Sequence, residues 1–258
     1  MTNPDLQNIL VLSWNLHKGR SPLGIQVWPA MLTWLSTIHA DIFFLQETSA
    51  RRISSKKSSP QSLDTSSLPA ASWHCQASEI ATSLGLRLAL GQNVFKTTRR
   101  HGNAILSPHA LELFGKWDIS AHRFERRGLL VANTAIAGKK VLLLCVHLAL
   151  TRKARIGQMQ WIADWIEENA STGPLILAGD FNDWKNDSEK IFNTINLIEV
   201  ASTLGQSGLT FPSFSPKLGL DKIYVRDLIP YKWLAPSSNV EWLSDHLPYI
   251  VQLNLKNS

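Results

Sequence analysis

The chain has 258 residues, of which 44% are hydrophobic and ten are tryptophan, so it is long enough to bury a substantial core. Its formal charge of +6 favours anionic partners such as nucleic acid, phosphorylated small molecules or an anionic lipid surface. Two cysteines are too few for a disulfide framework or a cysteine-based zinc site. Because no apolar run approaches the ~20 residues of a membrane helix, we predict no integral membrane segment and expect a cytoplasmic monomer.

The N-terminal part alternates strand-like and helix-like patterns. Residues 9–14 form a β-rich run that ends in Asn15, and apolar residues recur at helical spacing over 27–38. A second apolar strand at 42–45 is predicted to end in Gln46-Glu47. Strand, helix and strand in such quick succession indicate a layered α/β fold.

The segment 51–72 differs in composition from the rest of the chain. It is rich in Ser, Lys, Arg and Pro and has few large apolar residues. Because core-like sequence resumes on both sides, we predict a flexible insertion within a single domain that spans residues 1–258. Its basic residues either contact phosphate groups or belong to a solvated loop.

The remainder of the chain predicts further strands and helices. In order, we expect a helix at 78–84, strands at 86–90 and 103–107 around a basic turn at 96–102, strands at 129–134 and 141–146 around a hairpin turn at 138–139, a helix around 156–166, a strand at 175–178, a short helix around 191–195, a strand at 220–225, and a closing strand within 242–253.

Polar side chains stand at the ends of six of the predicted strands. They are Asn15, Glu47, His147 and Asp180 at carboxyl ends, and Asp221 and the pair Asp245-His246 at amino ends. If the last two strands run antiparallel to the first four, all of these groups gather at one edge of the sheets. One polar strand end is ordinary, and Asx-turns after a core strand would explain it, but six are hard to explain as caps.

This inventory of side chains suits phosphate ester hydrolysis. Mg²⁺ prefers oxygen ligands, and Glu47 with Asn15 is a plausible pair for it. Histidines donate hydrogen bonds to phosphate or to a leaving oxygen near neutral pH. The chain has neither a glycine-rich phosphate loop nor a Gly-x-Ser-x-Gly nucleophile motif. We therefore expect metal-assisted attack of water on a phosphate ester.

The same residues lie in blocks that resemble the endonuclease/exonuclease/phosphatase superfamily from residue 9 to residue 253. The blocks are Trp14-Asn15, Gln46-Glu47, Val146-His147-Leu148, Gly179-Asp180-Phe181-Asn182, Leu220-Asp221-Lys222-Ile223 and Ser244-Asp245-His246-Leu247-Pro248. Within the superfamily the chain is most similar to the short bacterial YbhP-like branch. The resemblance implies an α/β fold, a four-layered α/β sandwich with two facing mixed β-sheets flanked by helices. It also implies a phosphoric ester hydrolase that depends on Mg²⁺ or Mn²⁺.

The resemblance further implies roles for individual residues. The implied metal ligands are Glu47, Asn15 and Asp245. The implied catalytic residues are Asp180, which orients or deprotonates the attacking water, and Asn182, which stabilises the transition state. His246 binds the scissile phosphate, and Asp221 holds the His246 side chain. His147 hydrogen-bonds the phosphate or helps to protonate the leaving oxygen.

Substrate contacts are less sharply marked in the sequence. We expect Asn103, Trp184 and Arg127 to contact substrate, with Trp184 stacking on a base or lining a pocket. His17 and Lys18 follow Asn15 on a loop and either reach substrate or are solvated, so we place neither in the catalytic set.

Two substrate classes remain open at this point. His147 stands where exonuclease III-type enzymes carry a tyrosine block, and it resembles the deoxyribonuclease I, sphingomyelinase and deadenylase branches instead. We expect a nuclease that hydrolyses DNA or RNA. The alternative is a phosphodiesterase or phosphatase that acts on a lipid headgroup or a small phosphate ester. A catalytically silent binding protein on this fold is a third hypothesis, and the presence of all the expected ligands argues against it.

Overall fold

The computed structural model describes residues 6–52, 73–95, 98–237 and 239–256. The strands are β1 Leu6–Asn15, β2 Ile42–Arg52, β3 Trp73–Cys75, β4 Arg87–Phe95, β5 Arg99–Ser107, β6 Leu111–Asp118, β7 Gly128–Ile136, β8 Lys139–His147, β9 Leu175–Asp180, β10 Ile198–Glu199, β11 Asp221–Arg226, β12 Ile229–Leu234 and β13 Tyr249–Lys256. The α-helices are α1 Trp28–Ser36, α2 Gln76–Leu84, α3 Arg152–Asn169, α4 Asp187–Asn193 and α5 Val200–Thr203, and 3-10 turns lie at His17–Gly19 and Val240–Trp242.

The strands form two mixed sheets. One sheet has the order β12-β13-β1-β2-β5-β4, with β3 paired to β2, and the other has the order β10-β11-β9-β8-β7-β6. Strands β1 and β2 are parallel, as are β8 and β9, whereas β13 is antiparallel to β1 and β11 is antiparallel to β9. This is the arrangement under which the polar strand ends were expected to share one edge.

Side chains alternate between the two faces of each strand and so build three core layers. Val11 and Phe44 point between the sheets, where they pack with residues of the second sheet such as Ile176. Their neighbours Leu12 and Phe43 point outward and pack against α1 and α2. On the far side, the outer face of the second sheet packs against α3 and α4. The fold is therefore the predicted four-layered α/β sandwich.

Four strands were not predicted from the sequence: the very short β3 and β10, and the longer β6 and β12. In β6 most side chains are exposed, and its sequence mixes charged and apolar residues without a buried face. In β12 the side chains are exposed or half-buried, and Pro230 interrupts the run. Both strands lie at sheet edges, where burial imposes little hydrophobic periodicity.

Two predicted boundaries were wrong. Strand β2 does not end at Glu47 but continues to Arg52, and the predicted basic turn at 96–102 is in part strand, because β5 begins at Arg99. Arg51 and Arg52 pair with β3, so they do not belong to an insertion. Of that insertion, residues 53–72 lie outside the described residues. Its flexibility and the single-domain boundaries remain predictions.

A close approach between β8 and β9 explains the glycine that precedes Asp180. Gly179 has φ +148°, and a Cβ atom there would lie 2.0 Å from the carbonyl oxygen of Val146. Only glycine fits this contact, because both the backbone angle and the space exclude a side chain. The residue thereby lets the end of β9 lie against β8.

We predict that Gly179→Ala lowers the free energy of unfolding by on the order of 3 kcal/mol or more, because backbone must move to admit the methyl group. Gly138→Ala is the matched control, since Gly138 also has positive φ but faces open space. It should cost about 1 kcal/mol. Urea unfolding of both variants measures the difference, and equal losses would contradict the steric explanation.

Candidate active site

Three neighbouring strand ends of the second sheet bring three polar side chains side by side. Asp180, the last residue of β9, lies opposite His147 of β8 on one side and opposite Asp221 of β11 on the other. All three side chains are buried. The predicted gathering of these groups at one edge is therefore present in the structure.

Asp180 lies at the centre of this group and also contacts the first sheet. Its Oδ2 accepts a hydrogen bond from Asn15 Nδ2 at 3.0 Å and lies 3.5 Å from His147 Nε2 and 3.7 Å from His246 Nε2. The backbone N–H of Asn182 donates to its Oδ1 at 2.9 Å. Burial raises the pKa of Asp180 to about 6, against the opposing charge of His246.

His246 is held by a second buried carboxylate. Its Nδ1 lies 2.7 Å from Asp221 Oδ2, and the Phe211 ring packs against the imidazole with 5.0 Å between centroids. Burial alone would lower the pKa of His246, but the negative charges of Asp221 and Asp180 raise it to about 10. At neutral pH the side chain is therefore an imidazolium with a proton on each nitrogen.

His147 has the opposite electrostatic environment. Burial, assisted by the positive charge of Arg127, lowers the pKa of His147 well below its usual value. The imidazole is consequently neutral at pH 7 and can donate one hydrogen bond. Of the two roles implied by the family resemblance, this state suits hydrogen bonding to phosphate better than protonation of a leaving oxygen.

Hydrogen bonds tie the segment that carries His246 to the end of β1. Trp14 Nε1 donates to the carbonyl oxygen of His246 at 2.8 Å, and Ser244 Oγ donates to the carbonyl oxygen of Asn15 at 2.7 Å. His17 Nδ1 lies 3.6 Å from Asp245 Oδ1. Asp245 is therefore placed beside the loop that follows Asn15.

Glu47 lies within β2, at a β-bulge. The pairing of β2 with β5 shifts register between Leu45 and Thr48, and Glu47 itself has φ +54°. Lys18 Nζ donates to Glu47 Oε2 at 2.6 Å. Burial raises the pKa of Glu47, but the charge of His147 when that ring is protonated and the charge and hydrogen bond of Lys18 lower it to about 2. The side chain is therefore a carboxylate at every physiological pH.

A hard divalent cation suits the side chains around Glu47 better than those around Asp180. Ligand atoms of Asp180, Asp221 and His246 lie within 4.8 Å of one another. An imidazolium cannot ligate a metal, however, because both of its nitrogens carry protons, and Asp221 already accepts the proton on Nδ1. Glu47 and Asp245 are carboxylates and Asn15 adds an amide oxygen, which is the oxygen-rich chemistry that Mg²⁺ and Mn²⁺ prefer.

The other predicted residues have varied surroundings. Asn182 has φ +50° and donates from Nδ2 to the carbonyl oxygen of Leu148 at 3.0 Å. Asn103 is 1% exposed and donates to the carbonyl oxygens of Gly128 and Cys145, so its amide nitrogen bridges the two sheets.

Two predicted substrate contacts lie nearer the surface. Arg127 donates a hydrogen bond to Glu125 at 3.0 Å, and its positive charge contributes to the lowered pKa of His147. Trp184 is 58% exposed, and the Arg155 guanidinium lies 5.9 Å from its ring centroid. Such exposure leaves one face of a large aromatic ring available for contact.

Sequence reasoning missed one member of the buried network. Thr210 Oγ1 donates to Asp221 Oδ2 at 2.5 Å, so this oxygen binds both Thr210 and His246. The other oxygen, Oδ1, is buried and has no hydrogen-bond partner within the described part of the chain. No pattern around Thr210 marks it, because it lies in a loop eleven residues before Asp221.

Comparisons with known proteins show the family to which the chain belongs. The model of the Endonuclease/Exonuclease/phosphatase family matches residues 12–246. The uncharacterized protein YbhP of Escherichia coli K12 is 30% identical over 251 residues, which cover 95% of this chain and 96% of that protein. These matches confirm the resemblance that the sequence blocks indicated.

Solved structures share the fold at low sequence identity. An endonuclease/exonuclease/phosphatase from Beutenbergia cavernae has a TM-score of 0.71 at 16% identity, and the match covers 97% of this chain and 72% of that chain. D. rerio TDP2, crystallised with a single strand DNA product, has a TM-score of 0.65 at 16% identity over 96% and 99% of the two chains. Among the described residues, no helix is both long and apolar enough to cross a bilayer.

We predict that Thr210→Val lowers the free energy of unfolding by about 1–3 kcal/mol, because a buried carboxylate loses a donor that water cannot replace. Thr194→Val makes the same chemical change at an exposed site, where Oγ1 donates to the carbonyl oxygen of Ile191. Its effect should stay within about 0.5 kcal/mol. Thermal unfolding measures both variants, and a Thr210→Val protein as stable as the control would refute this role.

Proposed function

Because the chain belongs to the endonuclease/exonuclease/phosphatase family, whose members are hydrolases that act on phosphoester bonds, we propose that it is a Mg²⁺- or Mn²⁺-dependent phosphodiesterase that acts as a nuclease on DNA or RNA. The observation that carries the proposal is the buried carboxylate of Asp180, held between Asn15, His147 and His246 at distances of 3.0–3.7 Å. A carboxylate with a pKa of about 6 is a suitable general base for water near neutral pH.

Asp180, His246 and Asp221 have different roles in the proposed reaction. Asp180 takes a proton from the attacking water, while Asn15 and the backbone of Asn182 fix the orientation of its two oxygens. The His246 imidazolium donates from Nε2 to the phosphate and stabilises the negative charge that develops there. Asp221 binds Nδ1 and so fixes both the orientation and the charge of the ring.

Glu47, with Asn15 and Asp245, would hold the divalent cation. Enzymes of this family typically depend on a divalent metal. When bound, the cation supplies positive charge that polarises the phosphoryl group. Asn182 stabilises the transition state through its amide, and neutral His147 donates a hydrogen bond to the phosphate.

The choice of nucleic acid is supported by charge and by aromatic exposure. The chain has 26 Lys and Arg against 20 Asp and Glu, and a basic balance favours a polyanionic substrate. Trp184 presents an exposed ring on which a base can stack, and Arg127 adds a cation near His147.

We expect the wild-type protein to nick supercoiled plasmid with Mg²⁺ or Mn²⁺ and to be inactive with a chelator. Asp180→Asn and His246→Ala should each slow nicking by about 10²–10⁴-fold, because one removes the general base and the other a phosphate donor. Asp164→Asn and His122→Ala, which change exposed residues, are the matched controls and should retain activity.

Plasmid that stays intact with folded wild-type protein and either metal would contradict the nuclease. A panel of lipid headgroup diesters and small phosphate esters would then be assayed for release of headgroup or phosphate. Activity there, lost in the same two variants, would assign the alternative substrate class to the same site.

The pKa values also predict the pH dependence of the reaction. Asp180 must be unprotonated, so kcat/KM should rise until the pH exceeds about 6, and His246 must be protonated, so kcat/KM should fall only near pH 10. Asp221→Asn removes the charge that raises the pKa of His246. In that variant the alkaline fall should move toward neutral pH in profiles recorded from about pH 5.5 to about 9.5. An alkaline limb unchanged by Asp221→Asn would contradict the assigned state of His246.

A further inference from the structure

The ion pair between Lys18 and Glu47 joins two residues with unusual backbone angles. Lys18 Nζ lies 2.6 Å from Glu47 Oε2, and the side chains are 40% and 18% exposed. Lys18 has φ +58° and Glu47 has φ +54°, in the left-handed region that neither residue type favours. Such angles persist where surrounding contacts enforce them, and they cluster at functional sites.

The turn beneath Lys18 is fixed by its own contacts. Three successive residues, His17, Lys18 and Gly19, have positive φ. The N–H of His17 donates to Asn15 Oδ1 at 3.0 Å, and Gln76 Nε2 donates to the carbonyl oxygen of Lys18 at 3.2 Å. The backbone is thus held in place, while the four-carbon side chain of Lys18 keeps its freedom to reorient.

The position of the ammonium conflicts with the proposed metal site. Glu47 is the carboxylate expected to bind the divalent cation, yet Lys18 already occupies one of its two oxygens. Two cations in contact with the same carboxylate group repel each other. A metal that binds Glu47 must therefore weaken or displace the Lys18 contact.

A displaced Lys18 needs another anion within reach of its side chain. Asp245 already faces His17, and Asp180 already accepts from Asn15. Asp221 is bound to His246 and Thr210, and the proposed function adds one further anion, the substrate phosphate that His246 would bind. An ammonium there binds a non-bridging phosphate oxygen as a point charge.

From this geometry we propose that Lys18 is a substrate-binding residue that alternates between two anions. It neutralises Glu47 in the metal-free protein, and it turns to the substrate phosphate when a divalent cation takes that carboxylate. The inference rests on the proposed function, because it requires the metal at Glu47 and a phosphate ester as substrate.

The first experiment measures metal binding in the absence of substrate. Mn²⁺ is titrated into metal-free wild type, Lys18→Met, Lys18→Arg and Lys222→Met, and free Mn²⁺ is followed by electron paramagnetic resonance. Lys18→Met removes the competing cation and should bind Mn²⁺ roughly three- to tenfold more tightly. Lys18→Arg keeps the charge and should remain within about twofold of wild type.

Lys222→Met is the matched control for long-range charge. Lys222 follows Asp221 in β11, and its Nζ donates to Asn186 Oδ1 at 3.0 Å, so it is engaged away from Glu47. The substitution removes the same charge from the chain and should leave the affinity for Mn²⁺ near the wild-type value. An increase equal to that of Lys18→Met would overturn the proposal.

The second experiment tests the contact with phosphate. Inorganic phosphate is titrated calorimetrically into each protein at saturating Mg²⁺. Lys18→Met should bind phosphate about tenfold more weakly than wild type, because a charged hydrogen bond is lost. Unchanged phosphate affinity overturns the proposal, as does Mn²⁺ binding in Lys18→Met that is no tighter than in wild type.

Different results would contradict the proposed function and the role of Lys18. If wild-type protein binds no Mn²⁺, both the metal-dependent function and the role of Lys18 are wrong. If wild type binds Mn²⁺ and nicks plasmid but Lys18→Met behaves identically in both titrations, only the role of Lys18 is wrong.

Discussion

The rest of the site depends on the interaction of protonated His246 with the carboxylates of Asp221 and Asp180. Asp180 and Asp221 lie opposite each other on adjacent strands, and both are almost completely buried. Two carboxylates in such positions repel each other, and each would cost several kcal/mol to bury without a partner. The imidazolium offsets this cost. Because His246 precedes β13 of the other sheet, the same contact fastens the two sheets at their polar edge.

The two histidines of the site show how position sets chemistry. His246 faces two carboxylates and keeps its proton, whereas His147 is buried near Arg127 and loses it. Both residues lie within 4 Å of Asp180. One ring therefore brings charge to the site and the other brings a neutral donor, although the amino acid is the same.

The sequence predicts buried parts of this protein better than exposed ones. Strands such as β1 and β9, covered on both faces, have apolar runs. The polar residues that end them, Asn15 and Asp180, were expected to lie at one edge, and a hydrogen bond joins them there. The edge strands β6 and β12 were missed because burial constrains few of their side chains. Thr210 was missed because its role comes from a loop folding back onto Asp221, which no local pattern encodes. Lys18 was noticed, but its contact with Glu47 depends on backbone angles that cannot be inferred from its neighbours.

The continuation of β2 beyond Glu47 places paired strand between the site and the connection from β2 to β3. Five more residues of β2, a length of about 16 Å, extend past Glu47 and pair with both β3 and β5. Arg52 and Trp73, which flank this connection, are therefore paired with each other in the ladder between β2 and β3. A reporter domain inserted between residues 52 and 73 would therefore be separated from Glu47 by paired strand and should leave the position of its carboxylate unchanged.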